Sequence, residues 1–357
     1  MNKTLRVGVI GLGIGRGHVE NYRNAPGCEV VAVTDVDPQR LETFANEFSI
    51  AGRYTEAAQM LEQEKLDVVS IATPNVFHRP LSIAALEAGA HVLCEKPMAL
   101  SQAEGLEMVE AARRANRRLM INFSSRFSAQ SQALKRLVDT GFLGEVYTAR
   151  TCWLRRRGIY SFGGWFGWKE MSGGGPLIDL GVHRIDLALW LMGNPRPTWV
   201  MGSTNDAIAQ EMVERTGKRF DVENHATGMV MFENGASLLV ESAWACNRSE
   251  AEYMETRLYG TKAGLVQKNT GTGYELVAQT FEERAGDHYD SQLQPPLPPG
   301  TSAMQQFIAA IRENVPHPAT GEEGVRVQQI LDGLYESARS GSPVKIEESA
   351  TLMGSRT

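Results

Sequence analysis

Three ionisable residues stand at regular intervals in one short stretch of the chain. Asp179, His183 and Asp186 follow the glycines Gly173–Gly175 and are spaced i, i+4 and i+7, which stacks them on one face of a helix. The rest of this helix is largely apolar, and an ionisable stripe is costly to bury unless its members are paired. A histidine near two carboxylates can accept and return a proton near neutral pH. The stretch is a candidate for acid–base chemistry, although its residues taken singly also fit a helix N-terminus and a packed core histidine.

The same three side chains could also chelate a metal ion, since i, i+4 spacing supports chelation. No further His, Cys or carboxylate motif completes such a site. We therefore predict no metal, and we expect Asp186 either to support His183 or to pair with a buried arginine.

A glycine-rich loop stands where the first predicted strand meets the first predicted helix. It contains Gly11, Gly13, Ile14 and Gly15, and glycines there let a pyrophosphate approach the helix N-terminus closely. The loop is one residue shorter than G-x-G-x-x-G, because Arg16 occupies the third glycine position. The motif alone also fits a structural turn.

Asp35 strengthens the dinucleotide interpretation. It ends the second predicted strand, 24 residues after Gly11, close to where an acidic residue binds the adenosine ribose. A carboxylate there accepts hydrogen bonds from a 2′-hydroxyl and repels a 2′-phosphate, and Asp37 adds a second negative charge. The sequence predicts NAD as the cofactor, while Arg40 keeps NADP open.

Polar residues also follow the fourth and fifth predicted strands. Thr73, Asn75 and His78 come after the fourth, and Glu95 and Lys96 after the fifth. Such sheets bind ligands at the carboxyl ends of their strands. These side chains are therefore candidates for the cofactor and reaction site, although a strand-end lysine is often simply solvated.

The first 123 residues alternate apolar strands with helices of about ten residues, which is typical of a doubly wound parallel sheet, the Rossmann arrangement. The predicted strands are Leu5–Ile10, Val30–Thr34, Asp67–Thr73, His91–Cys94 and Leu119–Phe123. The predicted helices are Gly17–Arg23, Pro38–Phe48, Glu56–Glu64, Arg79–Ala88 and Gln102–Ala115. We place an NAD-binding Rossmann domain at residues 1–124.

Residues 125–347 predict a second, α+β domain with a mostly antiparallel sheet. Asn234-Gly235 and Gly260–Gly264 are hairpin signals between apolar runs. The proline-rich stretch Asp287–Gly300 predicts a loop, helices are predicted at Ala303–Asn314 and Glu322–Arg339, and residues 348–357 a frayed tail. The strands look apolar on both faces, so we expect a homodimer or homotetramer.

Length and composition exclude several classes of protein. The chain has 357 residues, more than the roughly 250–300 that one hydrophobic core usually serves. A net charge of −6 offers no electrostatic case for nucleic acid, and no apolar run approaches the roughly 18–20 residues that span a bilayer. The four cysteines are scattered, as in a reduced compartment, and no signal peptide precedes Leu5. The prediction is a cytoplasmic protein without membrane or nucleic-acid partners.

With Glu95-Lys96-Pro97 and Gly173–Asp186, the chain resembles the Gfo/Idh/MocA oxidoreductases over roughly residues 5–340. The resemblance implies that Lys96 contacts the nicotinamide ribose and the substrate hydroxyl, and that a cis bond precedes Pro97. It implies a catalytic set of Lys96, Asp179 and His183, with His183 as general base. It further implies that the cofactor is lined by Thr73, Asn75, His78, Glu95 and Trp165.

The substrate side is predicted from aromatic and basic residues. Trp165 lies in an aromatic stretch before the glycines, Arg156 lies just upstream of it, and Arg126 follows the sixth strand. Aromatic faces suit the C–H-rich faces of sugars, and arginines suit hydroxyls or carboxylates. We assign Arg126, Arg156, Trp165, Asp179 and His183 to substrate binding, although the arginines could equally be solvated.

The predicted function is NAD-dependent hydride transfer between nicotinamide and a secondary hydroxyl of a sugar, cyclic polyol or sugar derivative. Two alternatives remain on the same fold. One is a glycosidase that retains NAD and oxidises its substrate transiently, and the other is a non-catalytic NAD and sugar sensor. Because a sensor does not need Lys96, Asp179 and His183 together, the sequence favours the dehydrogenase.

Overall fold

The computed structural model describes residues 3–159, 162–271, 273–298 and 300–348. Within them the chain forms two compact units, the first of residues up to 123 with 301–325, and the second of residues 124–300 with 326–348. The sequence predicts 301–325 as part of the second domain, whereas in the structure this segment packs with the first unit. Met120 pairs with Thr320, and the Ile121 amide donates to the Ala319 carbonyl at 2.9 Å, so this segment extends the first unit. Residues 349–357 of the predicted tail lie outside the described residues.

The first unit is built on one parallel sheet. Its strands are β1 Leu5–Ile10, β2 Cys28–Thr34, β3 Gly52–Tyr54, β4 Val68–Ile71, β5 His91–Cys94 and β6 Leu119–Ile121. They lie in the order β3-β2-β1-β4-β5-β6, and every pair is parallel. The connecting helices are α1 Gly15–Arg23, α2 Pro38–Phe48, α3 Ala57–Gln63, α4 His78–Glu87 and α5 Gln102–Ala115. The doubly wound parallel sheet is confirmed.

The register of this sheet brings four strand ends level. Ile10 pairs with Thr34 on one side and with Ile71 on the other, and Ile71 pairs with Cys94. The residues that follow these four strands therefore share one edge. Four of the predicted cofactor residues come within two residues of a strand end, namely Gly11, Asp35, Thr73 and Glu95. The sheet therefore brings them to one edge.

The second unit is built on a larger, mostly antiparallel sheet. Its strands are β7 Val146–Arg155, β8 Pro197–Asn205, β9 His225–Phe232, β10 Ser237–Ala243, β11 Glu252–Gly260, β12 Ala263–Asn269, β13 Leu276–Arg284, β14 Asp287–Gln292 and β15 Val344–Lys345. They lie in the order β14-β13-β12-β11-β7-β10-β9-β8-β15, with only β7 and β10 parallel among these pairs. The helices from residue 124 onward are α6 Ala129–Asp139, α7 Lys169–Ser172, α8 Val182–Leu191, α9 Ala207–Thr216, α10 Ala303–Glu313 and α11 Gly321–Ser340. The predicted α+β architecture is confirmed.

One local prediction in the second unit was wrong, and one predicted helix has an irregular first turn. The stretch from Asp287 was expected to be a loop, but residues Asp287–Gln292 form β14, an edge strand paired antiparallel with β13. Its side chains are all exposed, so no apolar alternation marks it in the sequence. The helix that carries Asp179 is also irregular, because Leu177–Gly181 forms a π-helical turn before α8 begins at Val182.

Candidate active site

The glycine loop of the first unit leaves room for a ligand at the N-terminus of α1. Gly11 has a φ of +90°, and a Cβ there would stand 2.4 Å from the Ala72 carbonyl oxygen, so only glycine fits. A Cβ on Gly13 would meet open space, and Ile14 is 57% exposed. Helix α1 begins at Gly15 and has no side-chain cap. Its first amides can therefore receive an anion, although the loop is shortened.

Asp35 is held in place at the end of β2. The Leu12 amide donates to Asp35 Oδ2 and the Asp37 amide to Oδ1, both at 2.9 Å. Arg40 Nη1 lies 3.3 Å from Oδ2, and a cavity of about 330 Å³ is lined in part by Leu12, Asp37 and Arg40. The carboxylate is thus fixed in place, and its hydrogen-bonding and charged neighbours line the cavity.

The end of β4 provides an unsatisfied polar group. The Thr73 hydroxyl is buried, and no described protein atom hydrogen-bonds to it, which is uncommon for a buried hydroxyl. Ala72, which Gly11 approaches closely, is the residue directly before Thr73. An orphaned hydroxyl beside a glycine cradle and an uncapped helix fits a bound dinucleotide.

Lys96 follows a deeply buried carboxylate. His18 Nε2 donates to Glu95 Oε1 at 2.8 Å, Asn122 donates to the same oxygen, and the Lys96 amide donates to Oε2 at 3.2 Å. Burial alone would raise the pKa of Glu95, but the hydrogen bonds and charges of His18, Lys96 and Asn122 lower it to about 2. Lys96 is half-buried and its bond to Pro97 is cis. The ionised Glu95 therefore anchors the backbone that presents Lys96.

His78 does not take the role expected for it. Its imidazole is fully buried, with Nδ1 2.7 Å from the Pro97 carbonyl and Nε2 2.9 Å from the Thr73 carbonyl. Burial lowers the pKa of His78, while both carbonyls oppose that shift. The ring ties the Lys96-Pro97 turn to the end of β4, so we withdraw it from the residues that line the cofactor.

In the second unit, Asp179 and His183 are set among aromatic side chains. Trp244 Nε1 donates to Asp179 Oδ2 at 2.9 Å, and the Trp153 ring centre lies 5.7 Å from that of His183. His183 is 8% exposed, and Asp179 is half-buried. A carboxylate and an imidazole held by indoles make a site where a proton can be transferred away from bulk water.

Arg126 has a different partner from the one expected. It is 1% exposed, and its Nε and Nη2 donate to the two oxygens of Asp186 at 2.8 and 2.6 Å. Asp186 is itself fully buried. Of the two roles expected for Asp186, the structure places it with a buried arginine. We withdraw Arg126 from substrate binding because its charge is consumed inside the second unit.

The arginine that stands next to the indoles is Arg155, not Arg156. Alternate residues of β7 share a face, so Arg155 lies on the side of Trp153, and Arg156 is exposed beyond the end of the strand. Arg155 Nε and Trp153 Nε1 both donate to Glu252 Oε1, at 2.8 and 2.7 Å. Trp165 is half-buried and stacks on Phe166 with ring centres 3.9 Å apart.

Comparison with known families gives a consistent assignment for both units. Residues 5–123 match the NAD-binding Rossmann fold of an oxidoreductase family, Gfo/Idh/MocA, and residues 135–346 match the C-terminal alpha/beta domain of the same family. The chain belongs to the Gfo/Idh/MocA family. The resemblance carried by Glu95-Lys96-Pro97 and Gly173–Asp186 is thereby confirmed.

Gfo/Idh/MocA relatives match the chain over almost its whole length. The D-glucoside 3-dehydrogenase of Escherichia coli K12 is 33% identical over 353 residues, 96% of this chain and 97% of that one. The D-apiose dehydrogenase of Paraburkholderia graminis is 27% identical, covering 97% of this chain and 90% of that one. The crystal structure of aldose–aldose oxidoreductase from Caulobacter crescentus superposes with a TM-score of 0.81 at 27% identity, covering 96% of this chain and 100% of that one. This chain is accordingly an oxidoreductase with an NAD-binding domain.

Two further properties of this Gfo/Idh/MocA protein follow from the described ranges. In residues 3–159, 162–271, 273–298 and 300–348, no group of three or more His, Cys, Asp or Glu side chains could hold a metal ion. No helix in the same part of the chain is long and apolar enough to cross a membrane.

Sequence reasoning assigned Arg156 where the structure places Arg155 beside Trp153, and it missed Trp244. The alternation from Trp153 could have pointed to Arg155. Trp244 carries no such signal, because its contact with Asp179 joins residues 65 positions apart.

Proposed function

We propose that this protein is an NAD-preferring dehydrogenase that oxidises a secondary ring hydroxyl of a neutral sugar or glycoside. The observation that carries the proposal is that each unit presents side chains suited to one part of the reaction. The Rossmann unit presents Lys96 at its ligand edge behind an ionised Glu95, and the second unit presents Asp179 and His183 on one helix. The D-glucoside dehydrogenase that is 33% identical supports the substrate class.

Each protein group has a separate task in this proposal. The nicotinamide supplies the hydride acceptor when NAD is bound. Hydride leaves a secondary alcohol carbon only as the O–H proton is lost, so a base must lie within hydrogen-bond reach, and His183 is that base. Asp179, held by Trp244, stabilises the charge that the imidazole gains. Lys96 donates to the substrate oxygen and stabilises its developing negative charge.

The charge around the indoles supports a neutral substrate. Arg155 forms a largely buried ion pair with Glu252, with side chains 7% and 12% exposed. The guanidinium charge is therefore compensated and does not call for a carboxylate on the substrate. Trp153 adds an aromatic surface beside His183, of the kind that packs on the C–H face of a pyranose ring. Trp165 is a second candidate for such a surface.

The proposal is tested by following NADH formation at 340 nm with methyl glucosides, free aldoses, anhydrosugars and inositols, each with NAD and with NADP. We expect the highest kcat/KM with a neutral glycoside or aldose and NAD. Cleavage of a glycoside without net NADH would instead indicate the redox-neutral glycosidase. Binding of NAD and sugar without turnover would indicate the sensor.

The cofactor preference is expected to depend on Asp35. In Asp35→Asn the negative charge that repels a 2′-phosphate is lost, while one oxygen remains for the Leu12 or Asp37 amide. A hydrogen bond to a charged group contributes about 1.5–3 kcal/mol, so the ratio of kcat/KM for NAD over NADP should fall by about 10- to 100-fold. The matched control is Asp37→Ser, which removes an exposed charge but keeps a capping side chain for α2. A larger effect in the control would contradict the assignment to Asp35.

The open face of the second sheet supports the expected homo-oligomer. Met201, Met229 and Leu239 are direct neighbours across β8, β9 and β10, and they are 53%, 41% and 47% exposed. Leu239→Glu would place a charge in this apolar row, and burying an unpaired carboxylate costs several kcal/mol. We expect light scattering after size exclusion to show a smaller assembly for Leu239→Glu than for the wild type. Val315→Glu, which alters a comparably exposed residue of the first unit at 43%, should keep the wild-type mass. If both variants keep it, this row is not the interface.

A further inference from the structure

The helix that carries Asp179 and His183 begins without a cap of its own. The first turn of this helix, Leu177–Gly181, follows Pro176, and the side chain of Pro176 accepts no hydrogen bond from the amides of the turn. The first amides of a helix have no partner within the helix, and leaving them buried and unpaired is costly. Gly175 and Leu177 are both buried, so their amides need acceptors from elsewhere in the fold.

Glu223 provides these acceptors from a distant part of the chain. The Gly175 amide donates to Glu223 Oε2 at 2.8 Å, and the Leu177 amide donates to Oε1 at 3.1 Å. The side chain lies in the segment before β9 and the residue is 8% exposed. Burial raises the pKa of Glu223, while these amides and Tyr335 hold that shift back. A carboxylate at a helix N-terminus is also stabilised by the helix dipole.

Tyr335 of α11 completes the arrangement. Its hydroxyl donates to Glu223 Oε1 at 2.9 Å. Burial and the neighbouring Glu223 carboxylate raise the pKa of Tyr335 well above its ordinary value. The phenol therefore stays protonated and continues to donate to the carboxylate.

The glycines before the helix are required by this contact. A Cβ on Gly174 would stand 2.1 Å from the Tyr335 hydroxyl oxygen, and a Cβ on Gly175 would stand 2.0 Å from the Glu223 carbonyl oxygen. Both distances are far below van der Waals contact. Of the three glycines, only Gly173 has a positive φ, at +83°. Gly174 and Gly175 thus serve close packing against Glu223 and Tyr335.

We propose that Glu223 and Tyr335 are positioning residues that hold the π-helical turn, and through it set Asp179 and His183 for proton transfer. Leu177, which Glu223 caps, is two residues from Asp179 and six from His183 in the same helix. Loss of the cap would let the turn relax to another register and displace both side chains. This inference rests on the proposed role of His183 as general base.

The test compares two variants with two matched controls. Glu223→Gln keeps the side-chain volume but replaces one accepting oxygen with an NH₂ group, which faces hydrogen-bond donors. Tyr335→Phe removes a single hydroxyl. The sheet contains a similar pair, since Tyr253 donates to the 7%-exposed Glu255 at 2.8 Å, so Glu255→Gln and Tyr253→Phe are the controls. Kinetics with the best substrate of the panel are combined with hydrogen–deuterium exchange of residues 177–181.

We expect kcat in Glu223→Gln to fall by about 10- to 100-fold, with a smaller fall in Tyr335→Phe and little change in the KM for NAD. In the proposed mechanism Asp179 favours the charged imidazolium of His183, and separating the two side chains removes that stabilisation. The acidic limb of the kcat/KM profile should therefore move to lower pH. Amides 177–181 should exchange about tenfold faster. The controls should match the wild type in all three measurements.

The outcomes separate this inference from the proposed function. Wild-type turnover, pH profile and exchange in both Glu223→Gln and Tyr335→Phe would overturn the positioning role. If Glu223→Gln does not fold, Tyr335→Phe decides between the same outcomes. If the wild type oxidises no member of the panel, the proposed function fails. Exchange at residues 177–181 then decides the positioning claim alone, upheld if exchange is faster than in the controls and overturned if it is equal.

Discussion

Lys96→Met is expected to reduce kcat by about 10²–10³-fold, the usual cost of removing one donor that stabilises a developing negative charge on oxygen. Methionine keeps much of the length and apolar stem of lysine but donates no hydrogen bond to the substrate oxygen. The Kd for NAD, measured by calorimetry, should change little, because Gly11, Asp35 and Thr73 are untouched. Stopped-flow absorbance at 340 nm would show whether the lost step is hydride transfer.

Lys65→Met is a suitable control, because Lys65 is an exposed lysine of the same unit. Near-normal turnover in Lys96→Met, on the substrate found with the panel, would refute the catalytic assignment. An equal loss of NAD affinity and turnover would mean that Lys96 serves cofactor binding and not the reaction itself.

The largest effect on stability is expected from Asp186→Asn. The variant leaves the guanidinium of Arg126 buried without its anionic partner, in a place where the two side chains are 1% and 0% exposed. Breaking a buried ion pair from one side costs about 3–5 kcal/mol in free energy of unfolding. Urea unfolding followed by circular dichroism and tryptophan fluorescence should show the transition of the second unit at a lower midpoint.

The exposed ion pair of Arg196 and Glu233 provides the comparison, with side chains 28% and 36% exposed. Glu233→Gln should cost less than about 1 kcal/mol. The double variant Arg126→Leu/Asp186→Leu should be less destabilised than the sum of its single changes, because no charge is left unpaired. Equal stability of Asp186→Asn and Glu233→Gln would contradict the role given to the buried pair.

The parallel sheet of the first unit could be predicted because its signals are local. The strands are short apolar runs bounded by glycine or polar residues, and the helices between them have an apolar stripe and capping residues such as Ser101. Because all strands of a parallel sheet run in the same direction, their carboxyl ends lie at one edge of the sheet. For this reason Gly11, Asp35, Thr73, Glu95 and Lys96 could be assigned to one edge before the register was known.

Segments without local periodicity were predicted poorly. β14 is an edge strand with every side chain exposed, so only its backbone pairing with β13 defines it. Residues 301–325 contain a regular helix, but the partner of that segment is the strand that ends at Ile121, almost 200 positions earlier. An amphipathic pattern predicts that a helix packs on something but does not identify the partner.

The sequence by itself determined the family, the two-unit architecture, the dinucleotide edge and the residue types of the candidate chemistry. These depend on spacing within about 20 residues, which sets secondary structure and the face on which a side chain lies. The tertiary structure decided which side chains are available to a ligand. Arg126 is paired with Asp186, and both ring nitrogens of His78 lie against backbone carbonyls. Arg155, not Arg156, lies beside Trp153. The tertiary structure also decided what holds the proposed base, since Glu223 reaches Gly175 across 48 positions and Tyr335 reaches Glu223 across 112. Such contacts form only when the chain has folded. They could not be predicted, because neither partner's local sequence differs from that of an ordinary solvated or buried residue.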